Sequence, residues 1–548
     1  MARILFHCVL FCFAFVFGQK DDNIITQTPS GRFVGSLMTS RRGRPIHAYR
    51  GIRYAQPPVG EMRFQPPVPI KHYKHVVNAT AEGPACPQPA PGYLLDEDCL
   101  RLNVYTPGRL GNGSLPVLVY IHAGGFYSVS GRSDVAGPQH LLDKDLVLVT
   151  INYRLGSLGF LSTGDIHAPG NNGFKDQVVA LHWVRDNIAS FGGDANCVTL
   201  AGYSAGGVSV ALHTVSPMSR GLFHRALSMS GSPYSQIPFH SNLLSLAVKQ
   251  ARLVNCSVSS TAELVECLRT VPWRVLGYSL KGFQEFSIDP ILIWTPVIEG
   301  DFGQERFLPE HPLEIIRAGK LYSVPYIVSQ TRDEFFWEAF LVLNNSIYRT
   351  LINEDYYKVA PSAFLLPSPS DLSAKALRRE YLGDRDLGNT DIDYVDLGKL
   401  YGDAVIGFGA HRLANLLAHN NKEPTYYYEF DYIGNQSHYV DPTTGKPTGV
   451  AHHDELIYLF SLPAGFEPIP VSDSRDSFMV DKLTDIFYNF ARTGNPNSLL
   501  DDKPVTWPPI HPSNRKYLRI GDHFSVHTNL FEHRFRVWEH LYPIEYII

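Results

Sequence analysis

The chain predicts an α/β fold in which one large, mostly parallel sheet carries helices on both faces. Three observations carry that expectation. Short apolar runs rich in β-branched residues alternate with segments of helical spacing, and strands that alternate with helices pair in parallel. The strand-like runs are short and apolar, as in strands buried on both sides. A hydrophobic content of 44% against 18% charged residues over 548 positions supplies enough material for a large core.

The elements follow in order. LPVLVYIHA (115–123) and DLVLVTINYR (145–154) read as buried strands. FKDQVVALHWVRDNIASFG (174–192) places Val178, Leu181, Val184 and Ile188 at helical spacing. CVTLAG (197–202) is again a strand, AGGVSVALHTVS (205–216) a helix, and RALSMSGS (225–232) a strand running into a loop. The second half is mixed: a strand at VPYIVSQT (324–331), helices around 311–318 and 475–493, and Pro-rich loops near 361–369 and 504–512. No repeat, linker or shift in composition divides the chain, so 19–548 reads as a single domain.

Residues 1–18 read as a secretory signal peptide. Arg3 precedes the apolar ILFHCVLFCFAFVF, and small Val16 and Gly18 precede the cleavage point. That run is short for a membrane span, and neither a later stretch nor the C-terminal LYPIEYII has the length of one. A secreted, extracellular protein without a membrane anchor is expected. With Cys8 and Cys12 in the signal, five cysteines remain. The local pairs Cys86–Cys99 and Cys256–Cys267 suggest themselves in an oxidising compartment, although sequence alone leaves the connectivity open. Cys197, in an apolar run, reads as a small buried hydrophobe. Sequons at Asn78, Asn112, Asn255, Asn344 and Asn435 fit a glycoprotein. A net charge of −5 and no basic block argue against nucleic-acid partners.

Gly202-Tyr203-Ser204-Ala205-Gly206 is the sharpest chemical signal. A Gly-x-Ser-x-Gly between strand and helix is the turn that lifts the serine hydroxyl above the sheet of an α/β-hydrolase. Strand and helix crowd there, so the residues two positions away must be small. The following helix aims its positive end at the serine oxygen. Gly277-Tyr278-Ser279 lacks both the closing glycine and this context, which leaves Ser204 as the candidate nucleophile. Ester cleavage puts negative charge on an oxygen, and backbone N–H donors must already face it. Ala205 offers one. The glycine pair of His122-Ala123-Gly124-Gly125-Phe126, after an earlier strand, offers others. A base is sought in His452-His453-Asp454-Glu455. A metal cluster is the rival reading, but adjacent histidines diverge in regular structure and no second cluster has metal spacing. Neither metal nor cofactor is expected.

From about residue 27 to about 540 the chain resembles the type-B carboxylesterases, the cholinesterase-like branch of the α/β-hydrolases, and most of all the secreted insect carboxylesterases. The matching segments are GIRYAQPPVGEMRF (51–64), EDCLRLNVYTP (97–107), HAGGFYS (122–128), NYRLGSLGFLS (152–162), NNGFKDQVVALHWVRDNIASFGGD (171–194), GYSAGG (202–207), TPVIEGDF (295–302) and HHDELIYLF (452–460). The resemblance implies a secreted serine carboxylesterase with a Ser204–Glu334–His452 triad and oxyanion donors at Gly124, Gly125 and Ala205. It also implies disulfides Cys86–Cys99 and Cys256–Cys267, and scaffold ion pairs Arg63–Glu97 and Arg154–Asp176. Asp333 is the local rival of Glu334, and His453 that of His452. Asp454 and Glu455 then read as structural.

Four positions depart from the family pattern. Ala123 replaces the first glycine of HGGG, Tyr203 a glutamate, Phe335 the glycine after the acid, and His453 the glycine after the base. Pocket shape and pH profile are where these should show. The first disulfide loop lacks the tryptophan that holds choline in cholinesterases, and Tyr93 is its only aromatic residue. DPILIW (289–294) is mostly aliphatic before Trp294. The expected substrate is therefore a small, neutral, largely apolar carboxylic ester of the juvenile-hormone, pheromone or xenobiotic type. The alternative is a catalytically silent cholinesterase-like binding or adhesion protein. Such relatives usually lack a triad residue, and this chain keeps all three.

Overall fold

The computed structural model describes residues 24–90, 92–107, 114–367, 371–442, 444–497 and 505–546. The expected signal segment and the Asn112 sequon lie outside them. Thirteen described strands form one sheet. Seven central strands run parallel, in the spatial order Val147–Ile151, Leu115–Ile121, Gly193–Tyr203, Arg225–Met229, Tyr326–Thr331, Thr425–Phe430 and Lys516–Ile520. Antiparallel strands extend both edges: Arg101–Thr106, Pro45–Arg53, Gly31–Thr39 and Ile24–Thr28 on one side, Phe524–Thr528 on the other, and the short Val77–Asn78 pairs in parallel with Gly31–Thr39.

From Leu115–Ile121 the chain steps outward to Val147–Ile151, then returns to the opposite side as Gly193–Tyr203. This reversal opens a crevice at the carboxyl ends of the two neighbours, the position where open α/β sheets bind ligands. Register aligns Ile121 with Gly202 and Tyr203 with Met229. The glycine loop after Ile121 and the turn at Ser204 therefore emerge side by side.

Alternation along the strands builds a core on each face. Val117, Val119, Ile121, Val198 and Leu200 face one cluster, while Leu118, Tyr120, Ala201 and Tyr203 face another. Helices Asn172–Asn187 and Ala205–His213 bury residues in the first. Helix Arg475–Thr493 covers the second with Met479, Val480, Leu483, Phe487 and Phe490. A third cluster, rich in residues from helices between Trp337 and Gly402, includes Phe335.

The scaffold pairs are formed. Arg63 and Glu97 meet at 2.5 and 2.7 Å, Arg154 and Asp176 at 2.8 and 2.7 Å, all buried. Cys86–Cys99 and Cys256–Cys267 are disulfides. Two expectations need correction. The Pro-rich stretch from 361 is not all loop: Pro361 lies inside helix Tyr356–Ala363, whose Val359, Ala360 and Ala363 are buried in the helical cluster. That packing outweighs the N–H that proline lacks. Cys197 is half-buried rather than core. Its strand begins at the sheet's rim, and its Sγ meets the Ala491 carbonyl at 3.4 Å and the Arg225 guanidinium at 3.2 Å.

Candidate active site

Ser204 stands between strand and helix at φ +54°, ψ −119°. Such a backbone is strained by about 1–3 kcal/mol and persists only where its surroundings fix it. Here the Ser204 N–H donates to the Met229 carbonyl at 2.8 Å, and a Cβ on Gly206 would stand 2.1 Å from the Ile121 carbonyl oxygen. Only glycine lets the helix start this close to the neighbouring strand. The decoy Ser279 instead donates to Leu276 O and Gln250 Oε1.

Beside it, the glycine loop turns through three consecutive positive φ values: Gly124 at +103°, Gly125 at +56° and Phe126 at +63°. A Cβ on Gly124 would meet Ser128 O at 2.1 Å. Among the described residues, the loop's backbone bonds use the Tyr127 and Ser128 N–H groups, both on Gly124 O at 2.9 Å, and leave those of Gly124 and Gly125 uncommitted. Ala205 opens its helix, where no intrahelical acceptor exists for its N–H. Ala123, at the departure from HGGG, is buried, and its carbonyl accepts from His122 Nδ1 at 2.8 Å.

The third part comes from two distant segments laid parallel. The Asp333 N–H donates to Val450 O at 3.1 Å, and the Val450 N–H donates to Asp333 Oδ2 at 2.9 Å. This zipper brings Glu334 Oε2 within 2.5 Å of His452 Nδ1. Glu334 Oε1 accepts the Thr331 N–H at 2.7 Å, so both oxygens are held. Of the rival acids, Glu334 meets the imidazole, while Asp333 turns to Arg332 and Val450. Burial pushes the Glu334 carboxyl up and the His452 imidazole well down, so each relies on the 2.5 Å contact with the other to carry charge. His452 Nε2 is buried without a protein partner, and Phe335 and Trp337 flank the ring at 4.5 and 6.4 Å.

These segments are those of a known family. Residues 22–538 match the Carboxylesterase family model. The chain belongs to the carboxylesterase family. It is 35% identical over 548 residues to a juvenile hormone esterase of Tribolium castaneum, covering 94% of this chain and 92% of that one. It is 35% identical to Esterase FE4 of Myzus persicae, covering 92% and 90%. The crystal structure of juvenile hormone esterase from Manduca sexta, with OTFP covalently attached, superposes with a TM-score of 0.83 at 28% identity, covering 95% of this chain and 100% of that one. The fold is thus the α/β-hydrolase fold, and the enzyme hydrolyses carboxylic esters.

Several contacts of this carboxylesterase were not legible in its sequence. Tyr203 Oη accepts the backbone N–H of His453 at 2.8 Å, and its ring lies 5.0 and 4.9 Å from His452 and His453. Both residues stood out only separately, as departures. Asp454 collects the Ala451 and His438 N–H groups and the Ser437 hydroxyl at 2.7–2.8 Å. Glu455 accepts from Tyr428 Oη at 2.7 Å. Tyr93 donates to Asp134 at 2.8 Å, and Trp294 is buried against Phe283. Among the described residues, no group of three His, Cys, Asp or Glu could hold a metal ion. No helix among them is long and apolar enough to cross a membrane.

Proposed function

We propose that Ser204, His452 and Glu334 are the catalytic triad of this carboxylesterase and that Gly124, Gly125 and Ala205 supply its oxyanion hole. The 2.5 Å contact between His452 Nδ1 and Glu334, at the same sheet end as the strained Ser204 turn, carries the reading. Ser204 Oγ attacks the ester carbonyl as His452 Nε2 takes its proton. The carbonyl oxygen, now negative, lies among the three backbone N–H donors. As the intermediate collapses, His452 passes the proton to the leaving alcohol. Water, deprotonated by His452, then cleaves the acyl-enzyme and regenerates Ser204. Burial keeps the resting imidazole neutral, the state in which it accepts a proton. The Glu334 carboxylate stabilises the imidazolium that forms.

The substrate in this reading is a neutral, largely apolar ester. His452 is walled by Phe335 and Trp337, and the loop between Cys86 and Cys99 holds no tryptophan to bind a quaternary ammonium. The relatives named for juvenile hormone hydrolysis support an ester of that apolar type. The enzyme in this reading is secreted, with Asn78, Asn255, Asn344 and Asn435 all exposed for glycosylation. The test is kinetic. Ser204→Ala and His452→Ala should each lower kcat by about a thousandfold or more, and Ser204→Ala should abolish covalent labelling by an organophosphate. Wild-type turnover and labelling in Ser204→Ala would end the proposal.

A further inference from the structure

A cavity of about 620 Å³ is lined by Glu334 and its neighbours Thr331, Arg332, Asp333 and Phe336. Ser204, Gly124, Gly125, Ala205 and His452 do not line it, so of the proposed ester site it shares Glu334 alone. Its volume falls within the range of small-molecule sites. Its lining includes the buried Gln330 side chain. Gln330 is 1% exposed, and neither Nε2 nor Oε1 has a hydrogen-bond partner. Tyr326 and Val328 on the same strand pack in one cluster with Leu413 and Ala414. Alternation therefore points Gln330, two residues on, toward that helical side, where Gly402, Asp403 and Gly407 line the same cavity. A buried amide with donor and acceptor both unmet costs about 1–3 kcal/mol, and a ligand bearing matching groups would recover it.

The walls narrow the choice of ligand. Phe340 stacks on Tyr394 at 4.4 Å and meets Phe336 at 6.0 Å, and all three line the cavity. Phe340 also stacks on Tyr439 at 5.2 Å, so this aromatic group is fixed within the protein and favours a flat ring beside it rather than a cation on an open face. Of the lining cations, Arg534 is closed onto Asp403 at 2.7 and 2.8 Å, Arg332 onto Asp333 and Asp431, and Lys399 lies 3.7 Å from Asp396. Asp391 stands exposed at the rim. The lining thus carries both signs of charge, and the buried Gln330 amide, a donor and an acceptor together, is the group that selects a ligand.

We propose that this cavity is a second ligand site, which takes a small, neutral aromatic amide. Its N–H would donate to Gln330 Oε1, its carbonyl would accept from Gln330 Nε2, and the ring would pack beside Phe336 and Phe340.

Benzamide is the probe, with benzamidine and benzoate as cationic and anionic isosteres. Titration calorimetry on the full chain, before and after organophosphate treatment, should show saturable one-to-one binding of benzamide in both states. Benzamidine, which lacks an acceptor for Gln330 Nε2, and benzoate, which lacks a donor for Oε1, should each bind about tenfold more weakly. Val395→Trp, an exposed lining position, should block the cavity mouth and weaken benzamide at least about tenfold. Gln330→Leu should do the same. Absent saturable binding, or binding unchanged in folded Val395→Trp, would overturn the site. Because the readout is binding, neither result depends on Ser204 being the nucleophile.

Discussion

At the scale of single residues, the bond between Tyr203 and His453 is the feature that distinguishes this site. One residue precedes the proposed nucleophile and the other follows the proposed base. His453 holds φ +82°, a region a bulky residue enters only when held there. The Tyr203 hydroxyl supplies that hold. Tyr203→Phe leaves the His453 N–H without its acceptor, a loss of about 1–3 kcal/mol, and should lower kcat about tenfold with KM little changed. His453→Gly adopts the same backbone freely, so adding it to Tyr203→Phe should restore most of the loss. A double-mutant cycle on kcat reads this directly, and strictly additive effects would contradict it. The neighbouring His438 carries a second prediction. It faces Asp454 at 3.3 Å and the His453 and Phe466 rings at 5.4 and 4.6 Å. After burial, its charge is the next cause that lowers the His452 pKa. A positive His438 repels the imidazolium, so His438→Gln lets His452 protonate at higher pH. The acid limb of kcat/KM should then move upward, toward the ordinary histidine value near ~6.5. An unmoved limb would remove His438 from the account.

At the scale of elements, the sequence was most readable where strands are buried on both sides and least where they are not. LPVLVYI and CVTLAG announce themselves by apolar content. Gly31–Thr39 buries only Phe33 and Gly35 and carries Arg32 and Ser36, so it has no such signature. Thr425–Phe430 is fully buried yet reads TYYYEF, because Tyr428 places its hydroxyl on Glu455 rather than in an apolar core. The turn at Ser204 was legible for a physical reason: no other residue fits its glycines. That gives a third prediction. In Gly206→Ala the new Cβ must displace the Ile121 carbonyl by more than an ångström, and backbone on both sides is held in register. The expected loss is about 3 kcal/mol or more, seen as a lower denaturation midpoint with almost no esterase activity. Gly221→Ala, where a Cβ meets nothing within 4 Å, controls for glycine loss in general. It adopts φ +78°, so its cost should be limited to backbone strain of about 1 kcal/mol, with activity intact.

Across the whole molecule, the candidate site gathers residues near 124, 204, 334 and 452 at one end of the sheet. Short motifs marked each segment, but no motif told which loops brace which, and the braces decide how the parts cooperate. The two disulfides make the point testable. They close loops with separations of 13 and 11 residues, so loop entropy assigns each about 3 kcal/mol. Their surroundings differ. Cys256–Cys267 ties a turn to helix Thr261–Thr270 at the periphery, beside a cavity lined by Glu263 and Arg269. Cys86–Cys99 is buried, and Gln88 next to it accepts the Val129 N–H at 2.7 Å and donates to the Val129 carbonyl at 2.8 Å. Val129 sits at φ +72°, a strained value for a β-branched residue, five positions after Gly124. Freeing Gln88 releases Val129, and the strain relaxes by reshaping the turn that carries Gly124 and Gly125. Cys86→Ser/Cys99→Ser and Cys256→Ser/Cys267→Ser should therefore lower Tm by similar amounts but differ in catalysis. Only the first pair should lower kcat well below wild type at a temperature where both variants are folded. Equal specific activity in the two variants would show that the Gly124 loop holds its shape without the Cys86–Cys99 bridge.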